Sequence, residues 1–310
     1  MSKGFLDSYP LILGEGSMYE RLRRGVSGSF DPHIAHAGMI YDEIGRQVLF
    51  DTHRGYLNIG QQYGVPMIAG TPTCRASADR VAKSRFADKP VNTDAYASMK
   101  EVKASYGPDA SPILIAGVTG PFGDGYLPDE APDTQSAIEL HAPQVEELAK
   151  TGIDFFKAQI LPSFQEAKGI AQVLSSTGLP YVLSFVIRPD GCILDGTPTD
   201  IAIDVIDNET QRPPSNYAIN CVHASVFSST YRTAYDRYQS AAQRIVGFDA
   251  NSSAKTPEEL EGLDEIDTEA PEDFGENLAS LHQLFGISYL GGCCGSSTSH
   301  ISSLAAHLNA

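Results

Sequence analysis

Short apolar runs that end in glycine or a polar residue recur along the whole chain. They are Leu11 to Gly14, Val65 to Ala69, Ile113 to Gly117, Ile153 to Ala158, Tyr181 to Ile187, Tyr217 to Cys221, Ile245 to Phe248 and Ile287 to Leu290. Their lengths suit strands buried on both faces. Between them lie stretches with helical spacing. Ile44, Val48, Thr52, Tyr56 and Ile59 recur every three or four residues and so share one helix face. Ala142 to Lys150 runs into Gly152 as a C-terminal stop. Strands separated by helix-length connections pair in parallel, because each crossover needs a dozen or more residues. Eight such units predict a (β/α)8 TIM barrel, a single domain over residues 1–310. The competing open, doubly wound sheet would carry a glycine fingerprint after its first strand. Gly14-Glu15-Gly16-Ser17-Met18-Tyr19 has the first two glycines but Tyr19 at the third.

Composition narrows the class. The chain has 310 residues, 42% hydrophobic and 20% charged, which is a globular composition. With 22 Lys+Arg against 39 Asp+Glu the formal charge is -17, which argues against a protein that tracks nucleic-acid phosphates with clustered cations. The segment Thr256 to Glu276 alone carries ten acidic residues and is expected to be a solvated surface. Asp7 comes too early for a signal peptide's apolar stretch, and no apolar run approaches the ~18 residues that span a bilayer. A cytoplasmic location with no membrane partner is the expectation.

Five cysteines, an odd number, point to packing, metal binding or catalysis before a disulfide framework. Gly291-Gly292-Cys293-Cys294-Gly295 follows the last strand, and Asn220-Cys221-Val222-His223 closes the sixth. In a closed parallel barrel the C-terminal strand ends meet at one face, so these three thiols converge there. Three thiolates suit zinc and leave its fourth position for water or substrate. A substrate thiol entering that position is held as thiolate, the nucleophilic form. Two other readings of the thiols stand beside zinc: a redox disulfide between Cys293 and Cys294, and Cys221 as a small buried hydrophobe. His223, two residues beyond Cys221, would close the open position if it were a fourth ligand.

These motifs resemble the homocysteine S-methyltransferase family, zinc-dependent barrels that include betaine–homocysteine methyltransferase and the homocysteine module of cobalamin-dependent methionine synthase. The similarity extends over nearly the whole chain. It includes Gly14-Glu15-Gly16, His53 through Tyr56, Thr71-Pro72-Thr73-Cys74-Arg75-Ala76-Ser77, Gly117-Val118-Thr119-Gly120-Pro121-Phe122-Gly123, and Leu161-Pro162 with Glu166-Ala167. The resemblance implies that Cys221, Cys293 and Cys294 bind zinc, and that a methyl group passes from a small donor to the thiol of homocysteine, forming methionine. It also implies that Glu15, with Gly16 beside it, and Gln159 meet the substrate amino group.

Two departures bear on the acceptor. Gln159 stands where the family has a glutamate, and an amide supplies no full charge to an ammonium group. Pro72 stands where an asparagine is usual, removing a side-chain donor and a backbone N–H. A different thiol or selenol acceptor is therefore the alternative activity, and a non-catalytic zinc-binding or redox-sensing barrel is the alternative class. Thr119, Ser184 and Asn251, at predicted strand ends, are further candidates for substrate binding. Phe122 and Tyr126 could face a cationic donor, and Cys74 and Cys192 are read as bystanders. The chain has no Trp, so a tryptophan cage for betaine is excluded. The barrel takes up the chain without further modules, which favours a small free donor, a sulfonium above all.

Overall fold

Eight parallel strands close on themselves in sequence order: β1 (Ile12–Gly14), β2 (Met67–Gly70), β3 (Ile113–Thr119), β4 (Phe155–Leu161), β5 (Tyr181–Phe185), β6 (Asn216–His223), β7 (Ile245–Asn251) and β8 (Tyr289–Gly292). The ring is completed by pairing of Ile12 with Tyr289 and Leu13 with Leu290. The computed structural model describes residues 4–25, 30–237, 239–256, 259 and 266–309. Helices alternate with the strands, among them Glu43–Tyr63, Thr134–Ala149, Phe164–Thr177, Thr199–Glu209, Pro271–Phe285 and Thr298–Leu308. Each predicted strand is present, most shifted or extended by a few residues.

Alternation along the strands divides the core in two. Leu13, Met67, Ile113, Ile115, Phe156, Leu183, Tyr217, Phe248 and Leu290 face outward and pack against the helices. Ile12, Ile68, Leu114, Ala116, Val118, Phe155, Val182, Ala218 and Tyr289 fill the barrel interior. The N-terminal segment plugs the lower end: Leu6 is fully buried, its N–H donates to Asn216 Oδ1 (3.0 Å), and Phe5 packs on Phe155 at 5.2 Å. Among the described residues, the large cavity of the interior opens toward the C-terminal strand ends.

The helix Glu43–Tyr63 starts on Asp42, whose carboxylate accepts from Gly45 N, and stops at Gly64 in the left-handed region (φ 68). Its buried face carries Leu49, Thr52, His53, Tyr56, Leu57 and Ile59. Ile44 departs from the expected stripe: it is 69% exposed, because the first turn buries Gly45 against Met39 instead. The acidic segment 256–276 lies partly outside the described residues. Of its described carboxylates, Asp267 pairs with Lys255 (2.8 Å) and Glu269 with His223 (3.3 Å). Among the described residues no helix is long and apolar enough to cross a membrane.

Leu290 is fully buried between the barrel wall and the helices. Leu290→Ala is expected to lower the unfolding free energy by about 2–5 kcal/mol, read as a lower urea midpoint with an unchanged slope.

Candidate active site

Cys221 lies on β6, and Cys293 and Cys294 follow β8 directly. Their three sulfurs lie within 4.8 Å of one another. Tetrahedral zinc with bonds of about 2.3 Å separates its sulfur ligands by roughly 3.8 Å, which fits inside that spread. Cys221 and Cys293 have Cα atoms 5.6 Å apart and their sulfurs in contact, with Cys294 beside them in the same cluster.

The backbone is bent to bring these thiols together. Cys221 has φ 58, a left-handed conformation that a side chain with a Cβ rarely adopts, and the β6–β7 register shifts between Asn220 and Val222. Asn251 holds this turn from β7: its Nδ2 donates to the Cys221 carbonyl (3.0 Å) and its Oδ1 accepts from Cys294 N (3.2 Å). Cys293 N donates to the Ala250 carbonyl (2.7 Å). Gly292 leaves room for Ser296, whose Oγ a Cβ there would strike, and Gly295 (φ 77) turns the chain after the thiols. Asn220 Nδ2 donates to Cys221 Sγ (3.7 Å).

A cavity of about 360 Å³ opens beside the thiols, lined by Cys293, Cys294, Glu15, Gly16, Gln159 and Tyr126 among others. That volume suits a small substrate. Glu15 follows β1 and is fixed from both sides. His53 Nδ1 donates to Oε1 at 2.5 Å and Gly70 N donates to Oε2 at 3.0 Å. Gln159 and Cys74 both line the cavity, so Cys74 is part of its wall instead of standing aside. Tyr126 Oη lies 3.8 Å from Cys294 Sγ. Deeper in the barrel, Lys157, Asp249 and Tyr289 also line the cavity. Lys157 and Asp249 stand alone within apolar runs, so nothing in the sequence pattern marked this charged floor.

Three of the expected substrate residues do not line the cavity. Thr119 is fully buried on β3, with its hydroxyl unpartnered among the described residues. Ser184 faces inward but is covered by Asn220, to whose Oδ1 it donates (3.0 Å). Asn251 is occupied by the cysteine backbone, as described above. Ser184 and Asn251 thus support the thiol cluster from behind. His223 is not a fourth ligand: its ring nitrogens meet Ser225 Oγ (2.8 Å) and Glu269 Oε2 (3.3 Å). Phe122 is held by its backbone, N–H to Glu166 Oε1 and carbonyl to Arg80 Nη2, both at 2.7 Å, and does not line the cavity. Cys192 stands away from the site, bridged to Pro198 in the loop after β5.

Fold and site together define a (β/α)8 barrel with a thiol cluster at the mouth of a substrate-sized cavity. The model of the homocysteine S-methyltransferase family matches residues 12–308, and the chain belongs to that family. It is similar to the homocysteine S-methyltransferase of Escherichia coli (strain K12), 26% identical over 98% of this chain and 97% of that one. It is also 24% identical to homocysteine S-methyltransferase YbgG of Bacillus subtilis (strain 168), over 97% and 95% of the two chains. The solved structure of the homocysteine methyltransferase MmuM from Escherichia coli in its metallated form superposes with a TM-score of 0.74 at 21% identity, covering 97% of each chain.

Burial dominates the electrostatics around the cavity. It pushes the Cys294 thiol up, with Glu20 adding to the effect, and it pushes the Tyr126 phenol well up, with Cys294 adding. Burial, helped by nearby His53, pushes His36 down to about 4, so this cavity-lining imidazole is neutral near pH 7. The unfolded chain protonates His36 near pH 6.5 and the folded one near 4, so this residue costs stability as the pH falls through that window. His36→Gln should therefore lessen the loss of stability between pH 6.5 and 4 by about 3 kcal/mol, measured by urea unfolding at several pH values.

Proposed function

We propose that this chain, as a zinc-dependent member of its family, moves a methyl group from a small cationic donor to the sulfur of homocysteine, forming methionine. The observation that carries this reading is the convergence of Cys221, Cys293 and Cys294 beside a cavity that also holds an anchored carboxylate. Zinc bound by the three cysteines would keep the acceptor sulfur as a thiolate, the form that attacks carbon.

The protein's own residues supply position and charge. Glu15, locked by His53 and Gly70, presents a carboxylate whose remaining lone pairs can accept from the substrate ammonium. Gln159 can add a neutral acceptor on the opposite side. Tyr126 stands against Cys294 and narrows the approach to the sulfurs. Tyr19, Glu20 and Asp124 also line the cavity, and their ring face and carboxylates suit a positively charged donor. A sulfonium fits these groups best. As the new S–CH3 bond forms, the donor's S–CH3 bond breaks and its electron pair stays on the donor sulfur, which leaves as a neutral thioether. Fixed in-line geometry lowers such a barrier by several kcal/mol.

Gln159 supports a second reading, in which another thiol or selenol is the acceptor. Competition between homocysteine and other thiols separates the two, since a preference for homocysteine removes the second. The non-catalytic alternative gives way to the family assignment.

Zinc analysis and a transfer assay with a sulfonium donor test the ligand set. Cys221→Ala is expected to leave the chain without stoichiometric zinc and with turnover at background; retained zinc-dependent turnover would contradict the assignment. Asn251→Ala should keep all three thiols but weaken zinc by about 10–100-fold, the usual effect of removing a group that orients ligands. Competition against a chelator measures it.

A further inference from the structure

The charged floor of the cavity has no part in the account above. Lys157 takes an inward position on β4, two residues before Gln159 and so about 6.6 Å deeper in the barrel. Its Nζ donates to Tyr289 Oη at 2.6 Å. Asp249 Oδ2 lies 2.8 Å from the same nitrogen and forms an ion pair with it. Tyr289 gives its own proton to Asp249 Oδ1. An ammonium has three N–H donors; Tyr289 and Asp249 engage two of them, which leaves one for a group in the cavity. The side chain is 10% exposed, and the space beside it is the cavity.

The positions of neighbouring glycines support a built site. A Cβ on Gly14 would come within 2.9 Å of the Tyr289 hydroxyl, and one on Gly291 within 2.6 Å of Asp249 Oδ1. Both strands leave room for the Tyr289–Asp249 pair that steadies Lys157. Ile68 and Val118, which also line the floor, offer no side-chain donor. Arg75, a second cation at the cavity, directs Nη1 to the Gly123 carbonyl (3.1 Å).

An amino-acid thiol brings an ammonium and a carboxylate into the cavity. Glu15 answers the first, while Gln159 contributes no charge to it. We propose that Lys157 receives the carboxylate of the acceptor, so that in this chain the carboxylate is the acceptor's principal charged handle. The acceptor class is then short thiol carboxylic acids, with or without the amino group. This rests on the methyl-transfer reading for its consequence but not for its test.

The test is calorimetric binding to the zinc-loaded full chain of three probes: homocysteine, mercaptobutyrate, which lacks the amino group, and aminopropanethiol, which lacks the carboxylate. Mercaptobutyrate should bind nearly as well as homocysteine, and aminopropanethiol about ten- to hundredfold more weakly, the range for one hydrogen bond to a charged group. K157M/D249N, which leaves no unpaired carboxylate behind, should erase the difference between the two analogues. D249N alone should keep it. An unchanged preference in the double variant, or tighter binding of aminopropanethiol by the natural chain, overturns the proposal; should the double variant not fold, the order in the natural chain decides. Methyl transfer to homocysteine is assayed beside it. Its absence with the carboxylate preference intact defeats the transfer reading alone, and its presence with the preference unaltered in the double variant defeats the Lys157 reading alone.

Discussion

The site depends on the meeting of three sulfurs from two parts of the chain more than seventy residues apart. Closure of the barrel brings β6 and β8 to the same rim, on either side of β7. Closure alone does not aim the thiols. Cys221 must adopt a left-handed backbone conformation, which costs of order 1–3 kcal/mol and persists only where neighbouring contacts impose it. Asn251 is that constraint, since one amide bonds the backbone of both Cys221 and Cys294 and ties the two thiol-bearing segments to β7.

The charges around the cavity follow from the same centre. A zinc ion held by three thiolates would carry a formal charge of -1, which would favour a cationic donor and a sulfur nucleophile over polarisation of a carbonyl. Glu15 extends that negative character to the acceptor side. Lys157 interrupts it at the floor, where Asp249 and Tyr289 offset the cost of burying an ammonium. The charges thus differ along the cavity's depth, with Glu15, Glu20 and the sulfurs toward the mouth and the Lys157–Asp249 ion pair at the base.

Much of this was legible in the sequence. Strands buried on both faces leave continuous apolar runs, which is why all eight were visible. The glycines around Cys293 and Cys294 marked a tight turn that only a site would require. What escaped were properties of depth. Thr119, Ser184 and Asn251 lie at strand ends as expected, but strand alternation gives a direction and not a distance, so it could not separate a residue facing the cavity from one covered by Asn220 or bonded to the cysteine backbone. Lys157 and Asp249 are single charges within apolar strands, and their partnership exists only after β4 and β7 come to face each other across the barrel. Ile44 matched the helix period, but the first turn buries its neighbour Gly45 against Met39 and leaves Ile44 outside.

The central claim is a zinc ion held by three cysteines that keeps a place for the acceptor sulfur. Zinc-edge X-ray absorption of the reduced, metal-loaded protein tests it most directly. The account predicts three sulfur scatterers and one oxygen or nitrogen at rest, with the lighter atom replaced by a fourth sulfur when homocysteine is added. A resting site already closed by four protein ligands and unaltered by homocysteine would contradict it.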